Sequence, residues 1–178
     1  MKKQNKFIVF EGVDHSGKTT LARALAKRLN GLYIYTSSFF DDVRHRATQG
    51  KSNQTKFFFY MMTNNYFNDE IDRHLNNTPV VCDRWWYSSY AHHPAISFDP
   101  RLFQNLKKPD LVVYTYASYK IIENRKYQSS KISLGNEDLA YLKKTDKIFR
   151  KIIPKKTLYI DTGKISIEDC IQMIINAL

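Results

Sequence analysis

Short apolar runs alternate along this chain with longer segments in which apolar residues recur every three or four positions. Short runs rich in Val, Ile, Phe and Tyr are typical of buried strands, and a period near 3.6 residues is typical of helices. Strands are predicted at residues 7–10, 32–35, 79–84, 109–115 and 157–161. Strands that alternate with helices predict right-handed βαβ units, and therefore a parallel sheet with helices on both faces.

The predicted helices differ in how clearly their apolar face is marked. After Thr20, leucines recur at every fourth position, and Gly31 is expected to end that helix as its C′ residue. Residues 117–126 and 137–153 are further helices, whereas residues 39–48 form either a helix or a loop. The helix over residues 53–75 is expected to turn one face inward, with residues Phe57, Phe58, Met61, Met62, Asn65, Ile71 and Leu75.

The final helix is predicted to begin with a capping box at residues 166–169. Ser166 supplies the capping hydroxyl and Asp169 the acidic third position. The residues expected to face inward are Ile167, Cys170, Ile171, Ile174, Ile175 and Leu178.

The first strand leads directly into a glycine-rich loop. Residues 12–19 fit the pattern G-x-x-x-x-G-K-[ST], between a strand and a helix. Gly12 and Gly17 let the backbone N–H groups converge on one hollow, Lys18 can reach the β- and γ-phosphates, and the Thr19 hydroxyl can bind Mg²⁺. The ATP site predicted from this loop comprises Gly12, Val13, Asp14, His15, Ser16, Gly17, Lys18, Thr19 and Thr20.

A second charged element ends the third predicted strand, at Asp83 and Arg84. An aspartate at such a strand end, following a phosphate loop, is typical of a carboxylate that holds Mg²⁺ directly or through water. The alternative is an ordinary strand-end turn. Ligands in open parallel sheets bind beyond the carboxyl ends of the strands, so the phosphate loop, Ser37 and Asp83 are expected at one edge of the sheet.

Composition narrows the class of protein. The 178 residues are 43% hydrophobic, which predicts one folded domain over residues 1–178. No apolar run approaches the ~20 residues of a membrane span, and the basic start is not a signal peptide. Cys82 and Cys170 lie in apolar patterns and are interpreted as reduced core residues, with cytoplasmic localisation as the default.

The charge is strongly positive and uneven. The formal net charge is +11, and residues 107–156 hold thirteen Lys and Arg against five Asp and Glu. A surface that handles nucleotides or nucleic acid and a plain solvated lysine-rich face both fit this pattern. The dispersed lysines favour the solvated face, so nucleic-acid binding stays open but is not favoured.

Four segments, taken together, resemble the thymidylate kinase family of nucleoside monophosphate kinases: residues 7–20, 80–91, 109–114 and 123–125, in the family's order. The resemblance covers nearly the whole chain and is thinnest over residues 37–60. It implies a three-layer P-loop NTPase fold with a five-stranded parallel sheet and a short lid at about residues 125–136. It also implies ATP and Mg²⁺, phosphoryl transfer to a deoxynucleoside monophosphate, dTMP to dTDP first, and a homodimer.

The resemblance also assigns roles to residues. The predicted catalytic group is Lys18, Asp14 facing the acceptor sugar, Arg84 gripping the acceptor phosphate, and Arg125 opening the lid. Thr19 and Asp83 are the predicted metal ligands. The predicted acceptor site comprises Asp14, Arg44, Tyr60, Asn65, Arg84, Ser89 and His92.

Two positions depart from the family pattern. His15 stands where many relatives carry Arg, Lys or Gly, so we expect lid cations (Arg125, Lys126 and Lys131) to compensate, unless His15 simply faces solvent. Asn65 replaces the arginine with which relatives read thymine, and an amide need not choose the same base.

Two further functions are compatible with this sequence. A deoxynucleoside kinase would share the fold, but that class usually carries Glu-Arg-Ser where this chain has residues 83–85, Asp-Arg-Trp. A nucleotide-binding P-loop protein with little turnover would fit the positive charge and the altered acceptor residues.

Overall fold

The computed structural model describes residues 5–37, 41–93, 100–128 and 138–178. These described residues form five strands: β1 (Phe7–Glu11), β2 (Leu32–Tyr35), β3 (Val80–Asp83), β4 (Leu111–Tyr116) and β5 (Leu158–Asp161). The helices within these ranges are α1 (Lys18–Arg28), α2 (Asp41–Thr48), α3 (Asn53–Leu75), α4 (Trp86–His92), α5 (Tyr119–Gln128), α6 (Leu139–Ile152) and α7 (Ile167–Asn176). A 3₁₀ turn lies at Pro100–Phe103. The predicted lid beyond Gln128, including Lys131, lies outside the described residues.

The strands form one sheet in the order β2-β3-β1-β4-β5, and every pairing is parallel. This confirms the predicted five-stranded parallel sheet. Phe10 pairs with Asp83 on one side of β1, and Glu11 pairs with Tyr114 on the other. The chain places β2 and β3 on one side of β1 and then crosses to place β4 and β5 on the other side. The crevice beyond the carboxyl end of β1 is therefore the switch point at which such sheets bind ligands.

Successive residues of β1 point to opposite faces, and each face has its own buried core. Phe7 and Val9 join the core that includes residues of α3, α4 and α6. Ile8 and Phe10 join the core built against α1 and α7. All four side chains are fully buried, so β1 is the centre of a three-layer arrangement that fixes the glycine-rich loop at its end.

The predicted helices lie where they were expected, but some residues predicted to face inward are exposed. Residues left open as a helix or a loop form α2. On α3, Phe58 and Met62 are 51% and 49% exposed, contrary to the predicted inward face. Ile167 is 51% exposed at the first residue of α7, and Leu178 is 38% exposed after the end of that helix, so both lie outside the buried middle of its inner face.

Two helix ends show how local capping works here. The predicted capping box at α7 is confirmed, since the Ser166 side chain accepts a hydrogen bond from the Asp169 N–H. At the end of α1 the left-handed residue is Asn30, with φ 49°, and not Gly31. The Gly31 N–H donates to the Ala26 carbonyl at 2.8 Å, so the helix still ends in a Schellman-type turn, one residue earlier than predicted.

Both cysteines are free and buried, as predicted. Across the described ranges, none of the helices has the length and apolar character needed to cross a membrane.

Candidate active site

The loop between β1 and α1 depends on two glycines. Gly12 has φ 141°, and a Cβ atom there would lie 2.3 Å from the Thr115 carbonyl oxygen of β4. Gly17, with φ 92°, caps α1 in a left-handed conformation that other residues seldom adopt. The loop therefore lies tightly against β4 and leads directly into the start of α1, an arrangement typical of a phosphate-binding loop.

Lys18 lies inside this curl and is 4% exposed. Its Nζ donates to the Val13 carbonyl at 2.7 Å and lies 4.0 Å from Asp14 Oδ1. Val13 is buried, Ser16 is buried and bonds Thr115 at 2.8 Å, and Thr20 is exposed. The lysine's charge is thus held at the loop by the loop's own backbone.

Arg125 lies on the outer side of the same loop. One nitrogen of its guanidinium donates to Thr162 Oγ1 at 2.9 Å and to the His15 carbonyl at 3.3 Å, and the other donates to the Thr162 carbonyl at 2.8 Å. Thr162 in turn donates to the Ser16 carbonyl at 2.8 Å. His15 itself is half-buried and left-handed, with φ 61°. Arg125 therefore ties the loop after β5 to the phosphate loop.

Asp83 meets the start of α1 from the neighbouring strand. Its Oδ2 accepts hydrogen bonds from the Thr19 hydroxyl at 2.6 Å and from the Tyr33 hydroxyl at 3.1 Å. Its Oδ1 is buried and has no hydrogen-bond partner among the described residues. Burial and the Asp83 charge together raise the pKa of Tyr33, so Tyr33 stays a neutral donor. An unsatisfied carboxylate oxygen beside a threonine hydroxyl is an arrangement that a hard cation would complete.

Arg84 adopts a strained backbone, with φ 72°. A bulky residue in this region costs of order 1–3 kcal/mol and is kept only where its surroundings require it. Its N–H donates to the Phe10 carbonyl at 3.0 Å, and its carbonyl accepts from the Thr36 hydroxyl at 3.2 Å. These bonds fasten the turn after β3 to β1 and to the end of β2.

The Arg84 guanidinium is aimed into the site by this turn. It forms an ion pair with Asp14, and its Nη1 lies 3.3 Å from both Ser88 Oγ and His92 Nε2. Arg84 and Lys18 thus approach the same Asp14 carboxylate, one from the turn after β3 and one from α1.

His92 completes this cluster as a neutral ring. Burial, and next the positive charge of Arg84, lower the pKa of His92 well below its usual value. Because Arg84 can only donate, His92 Nε2 accepts, which places the ring proton on Nδ1, 2.9 Å from the Tyr141 hydroxyl of α6. The ring therefore links α4 to α6.

The α3 side of the site separates two adjacent asparagines. Asn64 is buried and its amide donates to Ser89 Oγ on α4 at 2.9 Å. Asn65 is exposed and donates to the Met61 carbonyl of its own helix at 2.9 Å. Tyr60 is half-buried, and its ring lies 5.7 Å from that of His93. The structure thus turns Asn64, and not the predicted Asn65, toward α4.

Arg44 lies on α2 and is half-buried near the end of β2. Burial raises the pKa of Tyr35, and the charge of Arg44 opposes that rise. Arg44 thus acts on the end of β2, whereas Arg46 on the same helix is exposed.

The structure brings most of the predicted residues to one edge of the sheet: Asp14, Lys18, Thr19, Asp83, Arg84, Ser89 and His92. Sequence reasoning missed several residues whose hydrogen bonds hold the site together: Glu11, Tyr33, Asn64, Ser88, Thr115, Tyr141 and Thr162. Only Glu11 carried a signal that could have been used, because a carboxylate directly after a fully apolar strand must find donors when it is buried.

The fold and this edge define a P-loop nucleotide-binding protein: a central strand, a glycine loop, a helix, and a carboxylate from the adjacent parallel strand. The chain belongs to the thymidylate kinase family, whose family model matches residues 10–174. The Methanocaldococcus jannaschii protein named "Probable thymidylate kinase" is 30% identical over 184 residues, covering 98% of this chain and 96% of that protein. The Leptospira interrogans "Thymidylate kinase" is 27% identical over 190 residues, covering 95% and 93%.

A solved structure of thymidylate kinase from Candida albicans has the same fold. Its TM-score is 0.77, with 19% sequence identity, and the match covers 97% of this chain and 90% of that one. At this identity the likeness concerns the fold, which agrees with the sheet and helix layers described above.

Proposed function

We propose that this protein transfers the γ-phosphoryl group of ATP to a deoxynucleoside monophosphate, with dTMP converted to dTDP as the first candidate reaction. One observation carries the proposal: Lys18 of the phosphate loop and Arg84 of the opposite turn converge on the single carboxylate of Asp14. Phosphoryl transfer between two anions needs positive charge on each side of the transferred group. This site supplies one cation from each side.

The phosphate loop would bind ATP, and the turn after β3 would bind the acceptor. Backbone N–H groups of residues 12–19 and the start of α1 would hold the β-phosphate, and Lys18 would neutralise charge that develops toward the γ-phosphate. Arg84 would bind the acceptor phosphate, and Asp14 would face the acceptor sugar. Holding the two oxygens in line supplies most of the catalysis, so no separate strong base is required.

The residues present fit Mg²⁺. Thr19 Oγ1 and the unsatisfied Oδ1 of Asp83 are hard oxygen donors at one place. Among the described residues there is no group of three or more His, Cys, Asp or Glu that could hold a metal. Mg²⁺ in kinases is commonly held by one or two protein oxygens plus phosphate oxygens and water. When bound, Mg²⁺ would neutralise charge on the phosphates.

The acceptor would lie between α3 and α4. Arg84 would bind its phosphate beside the neutral His92, and Ser89 of α4 and Tyr60 of α3 would line the rest of the acceptor site. Arg44, at the end of β2, would approach from α2. Asn65 and its buried neighbour Asn64 are both candidates for the base contact.

The test is ADP release from ATP and Mg²⁺ with a panel of nucleosides and nucleoside monophosphates. The proposal expects turnover with dTMP, and with deoxynucleoside monophosphates above nucleosides. Turnover with nucleosides alone would instead identify a deoxynucleoside kinase. ATP binding without turnover on any acceptor would identify a nucleotide-binding module and overturn the proposal.

We also propose that the active form is a homodimer. Phe58, Met62 and Tyr66 follow one another at four-residue spacing on α3, and all three are exposed. Such a stripe is more apolar than a solvent face needs to be, and a second copy would bury it. Light scattering should give twice the chain mass for the wild type and for Met173→Glu on α7, and a monomer for Met62→Glu. A monomeric wild type would overturn this proposal.

The proposed domain organisation is one kinase domain over residues 1–178, with a lid at about 125–136. Buried free thiols at Cys82 and Cys170 support cytoplasmic localisation.

A further inference from the structure

Glu11 is a buried carboxylate that no step of the proposed reaction uses. It ends β1, directly before Gly12, and is fully buried. Its Oε1 accepts hydrogen bonds from the Trp85 N–H at 2.8 Å and the Ser88 N–H at 3.3 Å, and its Oε2 accepts from the Ser88 hydroxyl at 2.5 Å. A carboxylate with this many donors is held in one orientation.

These bonds replace a local cap on α4. Trp85 is the N-cap residue of that helix and makes no side-chain capping bond. Helix starts leave unpaired N–H groups, which Ser, Thr, Asp or Asn usually satisfy from the N-cap position. Here the cap comes from Glu11, which is distant in sequence and belongs to the strand that leads into the phosphate loop.

The same carboxylate reaches Arg84 through one hydroxyl. Ser88 Oγ donates to Glu11 Oε2 and accepts from Arg84 Nη1 at 3.3 Å. Since Glu11 fixes the direction of the Ser88 proton, it also fixes which side of that oxygen is open to Arg84. The acceptor-side guanidinium is thereby tied to the residue that begins the phosphate loop.

We propose that Glu11 is a positioning residue, which aligns Arg84 through Ser88 and the start of α4 and so sets the affinity for the acceptor monophosphate. This rests on the proposed function, because it assigns Arg84 to the acceptor phosphate. Removing the negative charge of Glu11 also makes the electrostatic potential around the Arg84 guanidinium more positive. That effect is the smaller one, because Asp14 pairs with Arg84 directly whereas Glu11 reaches it only through Ser88.

Burial of the Glu11 carboxyl makes this alignment depend on pH. Burial raises the pKa of Glu11 to about 7, against the lowering effect of the Ser88 and Trp85 hydrogen bonds and of the Arg84 and Lys18 charges. Three other neighbours titrate, namely Cys82 of β3, Tyr87 of α4 and Tyr114 of β4. Burial raises the pKa of each, and nearby carboxylates raise it further (Asp83 at Cys82, Asp146 at Tyr114, and Glu11 at all three), so they stay neutral.

Two further groups face Arg84. His92 stays neutral because its pKa is lowered, and Asp14 is paired with Arg84. Glu11 is thus the member of this cluster that changes charge near neutrality. A protonated Glu11 carries its own proton on one oxygen, so it cannot accept the hydrogen bonds of the Trp85 N–H, the Ser88 N–H and the Ser88 hydroxyl as the carboxylate does.

The first experiment measures the ratio of the acceptor KM of Glu11→Gln to that of the wild type at several pH values. Titration of the acceptor phosphate affects both proteins equally and cancels in this ratio. At pH 8 the KM for dTMP should rise about tenfold in Glu11→Gln, with the KM for ATP nearly unchanged. At pH 6, where wild-type Glu11 is protonated, the ratio should approach one. Glu168→Gln, an exposed carboxylate on α7, serves as the matched control. A ratio that does not change with pH would overturn the inference.

The second experiment needs neither substrate. Trp85 and Trp86 are the two tryptophans of the chain, and the Trp85 N–H donates to Glu11. Tryptophan fluorescence of the wild type should show a step near pH 7 that is missing in Glu11→Gln, and an identical titration in both proteins would contradict the inference. If Glu11→Gln does not fold, Ser88→Ala should raise the acceptor KM while keeping the fluorescence step. An unchanged acceptor KM would then overturn the inference.

These outcomes separate this inference from the proposed function. A wild type without turnover overturns the proposed function, and with it the assignment of Arg84 on which this inference depends. An active wild type with the same acceptor KM and fluorescence titration as Glu11→Gln overturns this inference alone.

Discussion

The phosphate loop and the acceptor side of this protein are built in opposite ways. The loop is one continuous segment, residues 12–19, and its shape comes from left-handed residues and backbone contacts with β4. The acceptor side gathers side chains from α3, α4 and the turn after β3, and its shape comes from hydrogen bonds between them. A backbone cradle recognises any phosphate in the same way, whereas a network of side chains can change its ligand with one substitution.

The two regions meet at two carboxylates. Asp14 belongs to the loop and pairs with Arg84, and Glu11 precedes the loop and caps α4. Substitutions within the loop should therefore affect turnover with every acceptor, whereas substitutions on the acceptor side should change affinity for one substrate only.

Lys18→Ala should have the largest effect. Its ammonium is the charge that the loop itself supplies, and losing one such preorganised group lowers kcat by about 10³-fold. The loss should be equal for every acceptor tested, as measured by ADP release. Lys27→Ala, an exposed lysine of the same helix, should keep wild-type activity. Retained turnover in Lys18→Ala would remove the basis of the proposed reaction.

This contrast also explains what could be predicted from sequence. The loop, the five strands and Asp83 follow from short-range patterns, since spacing and periodicity determine them. Helix α4 was not predicted, because its cap comes from Glu11 in a distant strand. Asn64 and Asn65 could not be told apart, because only packing of α3 against α4 decides which one is buried.

Arg84→Lys should act on the acceptor alone. Lysine would keep the charge and bear the same strained φ of 72°, but it lacks the planar fork that reaches Asp14, Ser88 and His92 together. We expect the KM for dTMP to rise about 10²-fold, with the KM for ATP within about twofold. Arg73→Lys, on the exposed side of α3, is the control. Equal losses for both substrates would mean that the two sides are not separable.

Glu11 should make folding stability depend on pH. Its pKa is raised from 4.5 to about 7 in the folded protein, so the folded state binds the proton more tightly than the unfolded state. The contribution of Glu11 to the free energy of unfolding is therefore fully present below pH 4.5 and is lost as the pH rises through 7.

Urea unfolding at pH 5 and pH 8 measures this linkage. Wild type should lose about 2 kcal/mol relative to Glu11→Gln over that interval, the Gln variant having no such proton to bind. Glu168→Gln should follow the wild type. Parallel behaviour of wild type and Glu11→Gln would mean that the carboxylate is already ionised at pH 5.

The smallest expected effect distinguishes the two asparagines of α3. The resemblance to relatives assigns base reading to Asn65, but the structure turns Asn64 toward Ser89 and leaves Asn65 exposed. Losing one buried neutral hydrogen bond costs about 1 kcal/mol, so Asn64→Ala should raise the KM for dTMP about fivefold. Asn65→Ala should change it by less than about twofold, since an exposed amide has water as a partner. Ratios of kcat/KM for dTMP and dCMP separate base reading from a general loss of affinity. A larger change of that ratio in Asn65→Ala than in Asn64→Ala would place the base beside the exposed face of α3 and assign specificity to Asn65.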